Sequence, residues 1–222
     1  VRTTLMGIAD FGASGSTQID NGTLLLSGAW RNGVTIGASL AVGNGSGSMG
    51  TLSLINGGRL IVENPAGDTP TNLSLGGLAG FLPGGSGLLS LSGGSRVEVG
   101  TDSSHGQLLI GATAGGIGVA TLDGASRIDT DYLGVGAFYG ADAGVGTLIV
   151  NGGSLVSAAS IEIGAQGFVG GTGTLVGSII NRGVFSPGSS PGSLTIEGSF
   201  CNQAGGRLML VVEADGMGGV KT

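Results

Sequence analysis

Short runs that alternate apolar with small polar residues, punctuated by glycine, recur along this chain in a fixed order of three. The fullest statement is residues 108–130, LLIGATAGGIGVATLDGASRIDT. An apolar run closes on Ile-Gly, and a glycine-rich link leads to a second alternating run. A Gly-Ala turn then leads to a third. The opening runs are 40–43, 73–76, 108–111, 133–136 and 161–164, each ending in glycine. The second runs start at Gly50, Gly87, Gly118, Gly146 and Gly173. The turns after them read NGG (56–58), SGG (92–94), DGA (123–125) and NGG (151–153), and the third runs read RLIV, SRVEV, SRIDT and SLVS.

A two-residue period places every apolar side chain of a run on one face of a strand. No segment carries apolar residues at helical spacing over three turns, and glycine breaks the chain too often for a stable helix. The chain therefore reads as all-β. Successive opening glycines lie 33, 35, 25 and 28 residues apart. The insertions that stretch this spacing (66–71 and 79–84) fall between runs, where a packed core tolerates extra residues. A propeller blade needs about four strands in roughly 40 residues or more. Three runs per 25–35 residues predict instead a single-stranded parallel β-helix, a solenoid with Leu, Ile and Val stacked like on like. Its right hand follows from the usual sense of parallel crossovers. The expected organisation is N-terminal coils over 1–37, four regular repeats over 38–160, and C-terminal coils over 161–222. The run Val34-Thr35-Ile36 is expected to belong to an early coil.

Composition narrows this picture. Glycine reaches 51 of 222 residues without a Gly-X-Y period, which excludes collagen. Apolar residues make up 40% and mean hydropathy is +0.43, which excludes a disordered linker. Charged residues are only 10%, against about 25% in ordinary soluble domains, so Ser, Thr, Asn and Gly must cover the surface. A net charge of −6 and scattered Lys and Arg argue against a nucleic-acid partner. No run of 18 apolar residues predicts a membrane-spanning helix. The first residues do not read as a signal peptide, and with no starting methionine a processed or internal piece is expected.

Candidate chemistry is sparse. Arg59, Arg96 and Arg127 each follow a turn and are expected to align along one edge. They form either an anion-binding ladder or, on the plainer reading, a solubilising stripe with Glu63, Glu98 and Asp129. The carboxylates with the best claim to paired acid–base work are Asp123, Asp129 and Asp131, but a solvated edge is the default. His105 is the only histidine and is placed in a loop between coils. Cys201 is the only cysteine, so no internal disulfide forms, and its thiol is expected to pack in the core. One His and one Cys give no zinc set. The segments 115–120 and 170–175 have the glycines of a calcium β-roll without its aspartate, and no phosphate loop is present. No enzyme activity, catalytic residue, cofactor or metal is expected.

The block GTGTLVGSIINRGVFSPGSSPGSLTIEGSF, residues 171–200, resembles the C-terminal passenger region of bacterial autotransporters. A G-x-G-x-[IL] coil, the N-x-G step Asn181-Arg182-Gly183 and the segment from Pro187 to Phe200 each match that pattern. The usual Tyr-x-Gln is shifted here to Phe200-Cys201-Asn202-Gln203, and the family's β-barrel is not in this chain. The resemblance implies an exported β-helix stalk at the bacterial cell surface or outside the cell, acting in adhesion or display. Its partner would be a host or neighbouring-cell surface or a glycan. Two alternatives stand beside it: a filament subunit that self-associates end to end, and a polysaccharide-binding or -cleaving β-helix.

Overall fold

A computed structural model describes residues 5–10, 12–31, 34–36, 38–65, 70–78, 84–100, 105–188, 192–210, 213–214 and 220–221. Among them the chain is all-β, built from parallel sheets with no helix. The strands fall into three parallel ladders, here called walls, which the chain visits in rotation. The first wall holds Leu5–Asp10, Ser39–Asn44, Thr71–Leu75 and Gly106–Ile110. The second holds Ser14–Asp20, Met49–Ile55, Ser86–Leu91, Ile117–Leu122, Val145–Val150, Gly167–Gly171, Val184–Pro187 and Arg207–Leu208. The third holds Thr23–Ser27, Arg59–Glu63 and Arg96–Val99. The long strands Arg127–Val135, Leu155–Ile163 and Thr174–Asn181 start on the third wall and finish on the first, which joins those two walls into one twelve-stranded sheet.

Registers set like upon like. Leu40, Leu73, Leu108, Leu133, Ile161 and Ile179 form one inward column, at most 1% exposed. Leu52, Leu89, Ala120, Leu148, Val169 and Phe185 form the facing column of the second wall. Leu60, Val97, Ile128, Val156 and Leu175 do so on the third. All belong to one hydrophobic core. Burying an aliphatic side chain of this kind is worth about 1.5–3 kcal/mol, so the repeated inward positions supply the driving force for this architecture.

Glycine does a specific job where the chain enters the second wall. Gly15, Gly50, Gly87, Gly118, Gly146 and Gly167 are in mutual register. A Cβ on Gly118 would stand 2.2 Å from the Gly111 nitrogen, and one on Gly146 2.3 Å from the Gly136 nitrogen. The corner backbone passes so close to the end of the first wall that no side chain fits. Successive members of this column are 35, 37, 31, 28 and 21 residues apart, so the chain between returns to this wall passes the expected 25–35 slightly at the long end and falls below it at the last step.

Three sequence expectations are corrected. The fifth second run is Gly167–Gly171, not the run at Gly173: Thr174–Asn181 lies on the third and first walls. GTLVG alternates just as GTLIV does, and alternation reports which face is buried, not which wall a strand joins. Val34–Ile36 pairs antiparallel with Ala29–Arg31, outside all three walls. Cys201 is exposed, because its neighbours Phe200 and Asn202 continue the columns of Ile179 and Asn181 and leave it on the outer face.

Candidate functional site

With the interior filled by aliphatic side chains, chemistry is left to the outer faces of the walls, and the three faces differ. On the third wall, Arg59, Arg96 and Arg127 stand directly over one another, as do Glu98 and Asp129. Glu98 takes Arg59 at 2.7 Å and Arg96 at 3.0 Å, and Asp129 takes Arg96 at 3.1 Å and Arg127 at 2.6 Å. The result is one zigzag in which each carboxylate bridges two guanidinium groups. The hydrogen bond to Asp129 is the main reason the Arg127 guanidinium holds its proton more tightly than usual. Glu63 stands outside this zigzag. Each of the three arginines available to face an anion is already engaged by a neighbouring carboxylate.

The outer face of the first wall carries a hairpin that no repeat in the sequence announces. Ala137–Phe138 pairs with Ala141–Asp142 and folds back over the strand that ends at Val135. Tyr139 sits at its tip with φ of +44°, a conformation rare for a bulky residue. Its ring stacks on Tyr132 with centroids 4.4 Å apart, and Phe138 meets it edge-on. The Tyr139 backbone N–H donates to the Tyr132 hydroxyl at 2.7 Å, and the Gln107 amide donates to the Tyr139 hydroxyl at 2.8 Å. Burial pushes the Tyr132 hydroxyl well above the ordinary tyrosine range, and burial with the charges of Asp131 and Glu162 raises Tyr139. Carboxylates pin the surround: Glu162 accepts from Gly140 N, Asp142 from Ala165 N and Asp131 from Gly106 N. Tyr132 and Tyr139 are the chain's only tyrosines and lie seven residues apart, which is the one signal the sequence offers for this cluster.

The carboxylates singled out in sequence do not converge. Asp129 lies in the ionic zigzag, Asp131 across the corner of the same strand is held by a backbone N–H, and Asp123 is exposed at a turn. His105 is exposed, and its carbonyl accepts from Thr71 N, so its backbone serves wall pairing. The neighbouring positions 102–104 lie outside the described residues. Among the described residues, no group of His, Cys, Asp and Glu has metal-binding geometry.

The motif residues at the C-terminal end have structural partners. The fully buried Asn181 accepts from Gly183 N at 3.1 Å and donates to Asn202 at 2.7 Å, and Asn202 donates to the Gly206 carbonyl. The aliphatic column of Val42, Leu75, Ile110, Val135 and Ile163 thus ends in two hydrogen-bonded asparagines. Gly188 adopts φ of +85°, as its Pro-Gly turn requires, and donates to the Gly171 carbonyl. The second Pro-Gly pair begins at Pro191, outside the described residues.

Comparison of the chain with protein-family models, with curated proteins and with solved structures finds no match in any of the three. What the chain does is therefore read from its own surfaces: one wall laced with ion pairs, one clasped by a tyrosine hairpin, and one whose central strands carry no charge.

Proposed function

We propose that this chain is a right-handed, single-stranded parallel β-helix that serves as a non-enzymatic stalk. In this reading it is part of an autotransporter passenger, displayed on or outside a bacterial cell and used in adhesion or surface presentation. The observation that carries the reading is the rotation of successive strands through three parallel walls with aliphatic residues in register. Such a stack gains length with each turn of chain, about 4.8 Å per strand pairing, and length is what a stalk needs. The engagement of the arginines and acids with one another suits a scaffold better than a catalyst. The resemblance of residues 171–200 to a passenger's C-terminal region supplies the export route.

The test joins this chain to an autotransporter β-barrel and scores its arrival at the cell surface by protease accessibility. Surface arrival that is lost on deleting 171–200 is expected; secretion indifferent to that segment would sink the export reading. Negative-stain images should show short rods about 35–40 Å long for the eight strands of the second wall. Turnover of a polysaccharide by the purified chain would overturn the non-enzymatic assignment.

End-to-end filament formation is the second reading. Leu208, Met209 and Leu210, at the last strand of the second wall, are 49%, 54% and 62% exposed, an apolar row suited to another strand edge. Long fibres in the same images would favour it.

A further inference from the structure

The second wall has an outer face unlike the rest of the surface, and from it we infer that two copies of this chain pair face to face through that wall. Its central strands, Met49–Ile55, Ser86–Leu91, Ile117–Leu122, Val145–Val150, Gly167–Gly171 and Val184–Pro187, contain no charged residue. Nor do the links that enter it at 44–48, 111–116 and 143–144. Met49, Ser86, Ile117 and Val145 share one outward column, in which Met49, Ile117 and Val145 are 63%, 47% and 41% exposed. Leu88, 37% exposed, lies in the next column between Thr51 and Val119, with Thr147 beyond. The face thus presents aliphatic and hydroxyl side chains in straight files. Exposed aliphatic side chains gathered on one uncharged face mark a contact surface.

Three observations identify a second copy as the occupant. The first is pitch. Files of side chains repeat at the strand spacing of about 4.8 Å, and only another stack of strands repeats at the same interval along the whole contact. Two such faces pack as stacked sheets do, about 10 Å apart. The second is charge. The chain carries −6 overall, and a wall whose central strands hold no charge lets two copies meet without setting like charges against each other. The third is area. Six uncharged strands at about 4.8 Å, crossed by some six residues at about 3.3 Å, give roughly 570 Å² per partner and about 1,100 Å² in all, past the roughly 1,000 Å² that a specific interface needs. A shallow, open dip lined by Ser14, Gly15, Ser16, Met49 and Thr51 lies at the Ser14–Asp20 end of the wall.

Sedimentation equilibrium of the 222-residue chain tests this, in reducing buffer because Cys201 is exposed. A discrete dimer is expected, with little dependence on salt. The double variant L88K/I117K, with a wild-type circular dichroism spectrum, should raise the dimer dissociation constant at least about 100-fold, since each lysine is buried unpaired in the contact. Should that variant misfold, T51K/T147K on the same face makes the same measurement at half-exposed positions. A wild-type chain that stays monomeric at about 100 µM, a concentration that populates any dimer of micromolar affinity, overturns the proposal. Association undiminished in the lysine variants also overturns it, and assigns the contact to the strand edges at the ends of the stack.

Discussion

The second and third walls are built from the same backbone pairing and the same inward aliphatic files, yet their outer faces are opposites. The third carries Arg59, Arg96, Arg127, Glu98 and Asp129 in a closed zigzag of ion pairs. The central strands of the second carry Met49, Leu88, Ile117 and Val145 with hydroxyl residues and no charge. Since both faces sit over one core, the stack does not dictate what its outward positions hold. Within the zigzag every ion is answered by a neighbour, either on the adjacent strand (Arg59–Glu98, Arg96–Asp129) or two residues along its own (Arg96–Glu98, Arg127–Asp129). The uncharged wall has nothing of its own to answer its exposed apolar files. The difference teaches that outward residues here report what a wall meets, and inward residues report only that it stacks.

The corners leading into the two walls allow the sharpest test. Entry to the second wall is closed by contact: a Cβ on Gly146 would lie 2.3 Å from the Gly136 nitrogen and 2.4 Å from the Ile110 oxygen, both rigid backbone. At Gly153, on the way into the third wall, the dihedral angle alone is the constraint: φ is +74°, and a Cβ there would meet nothing within 4 Å. Gly146→Ala should cost about 3 kcal/mol or somewhat more, the upper end for overpacking, because the backbone it meets cannot move. Gly153→Ala should cost only the left-handed penalty of about 1–2 kcal/mol. Denaturant melts of the two variants settle the order, and equal costs would show that the corners are not distinct.

Next in size comes the serine at the corner of the third wall. Ser154 is fully buried, and its hydroxyl accepts from the Ser126 backbone N–H at 3.1 Å. Ser154→Ala leaves that N–H without its partner, at a cost of about 1–3 kcal/mol. Ser90, on the outer face of the second wall, should tolerate alanine within about 0.5 kcal/mol. Chemical denaturation midpoints of the two variants check both figures. If Ser90→Ala proved as costly, the second wall's outer face would hold bonds of its own.

How much of this is legible in the sequence depends on which side of a strand a residue occupies. Leu108, Leu133 and Ile161 are readable because burial imposes a period that recurs. The alignment of Arg59, Arg96 and Arg127 is readable because each stands within two residues of a turn, at the head of a third run. The place of Gly173 is not, since Phe168-Val169 fills the expected position of its run with only one inward aliphatic side chain, Val169. Cys201 misleads because composition says that thiols are buried, whereas its parity beside Phe200 says otherwise. The Tyr132–Tyr139 stack escapes because it depends on a hairpin folding back across a wall, a tertiary event with no periodic trace. The uncharged character of the second wall is spelled out in the sequence, but it acquires meaning only when registers gather those strands onto one face.

The same corner of the third wall also offers a gain. Ala125 holds φ of +61° in a turn where the strands on either side in the third wall are preceded by Gly94 and Gly153 at the equivalent position. Ala125→Gly should raise stability by up to about 1 kcal/mol, because relief of the left-handed strain exceeds the added chain entropy. A higher melting temperature checks it; a lower one would mean that packing of the Ala125 methyl outweighs strain.

The smallest effect expected is at the centre of the ionic zigzag. Arg96 joins Glu98 to Asp129, so Arg96→Gln cuts the zigzag in two and leaves Arg59–Glu98 and Arg127–Asp129 as separate pairs. The arginine side chains are 45–46% exposed, and exposed pairs are worth about 0.2–1 kcal/mol. The cost should lie in that range at low ionic strength and vanish near 1 M salt, where screening acts over about 3 Å. A substitution that destabilises equally at both ionic strengths would mean that the arginine stem, not its charge, supports the wall. The contrast between the walls would then rest on packing on both sides. A loss that disappears with salt leaves the third wall held together outwardly by charge alone, which is the property the second wall lacks and a partner copy would replace.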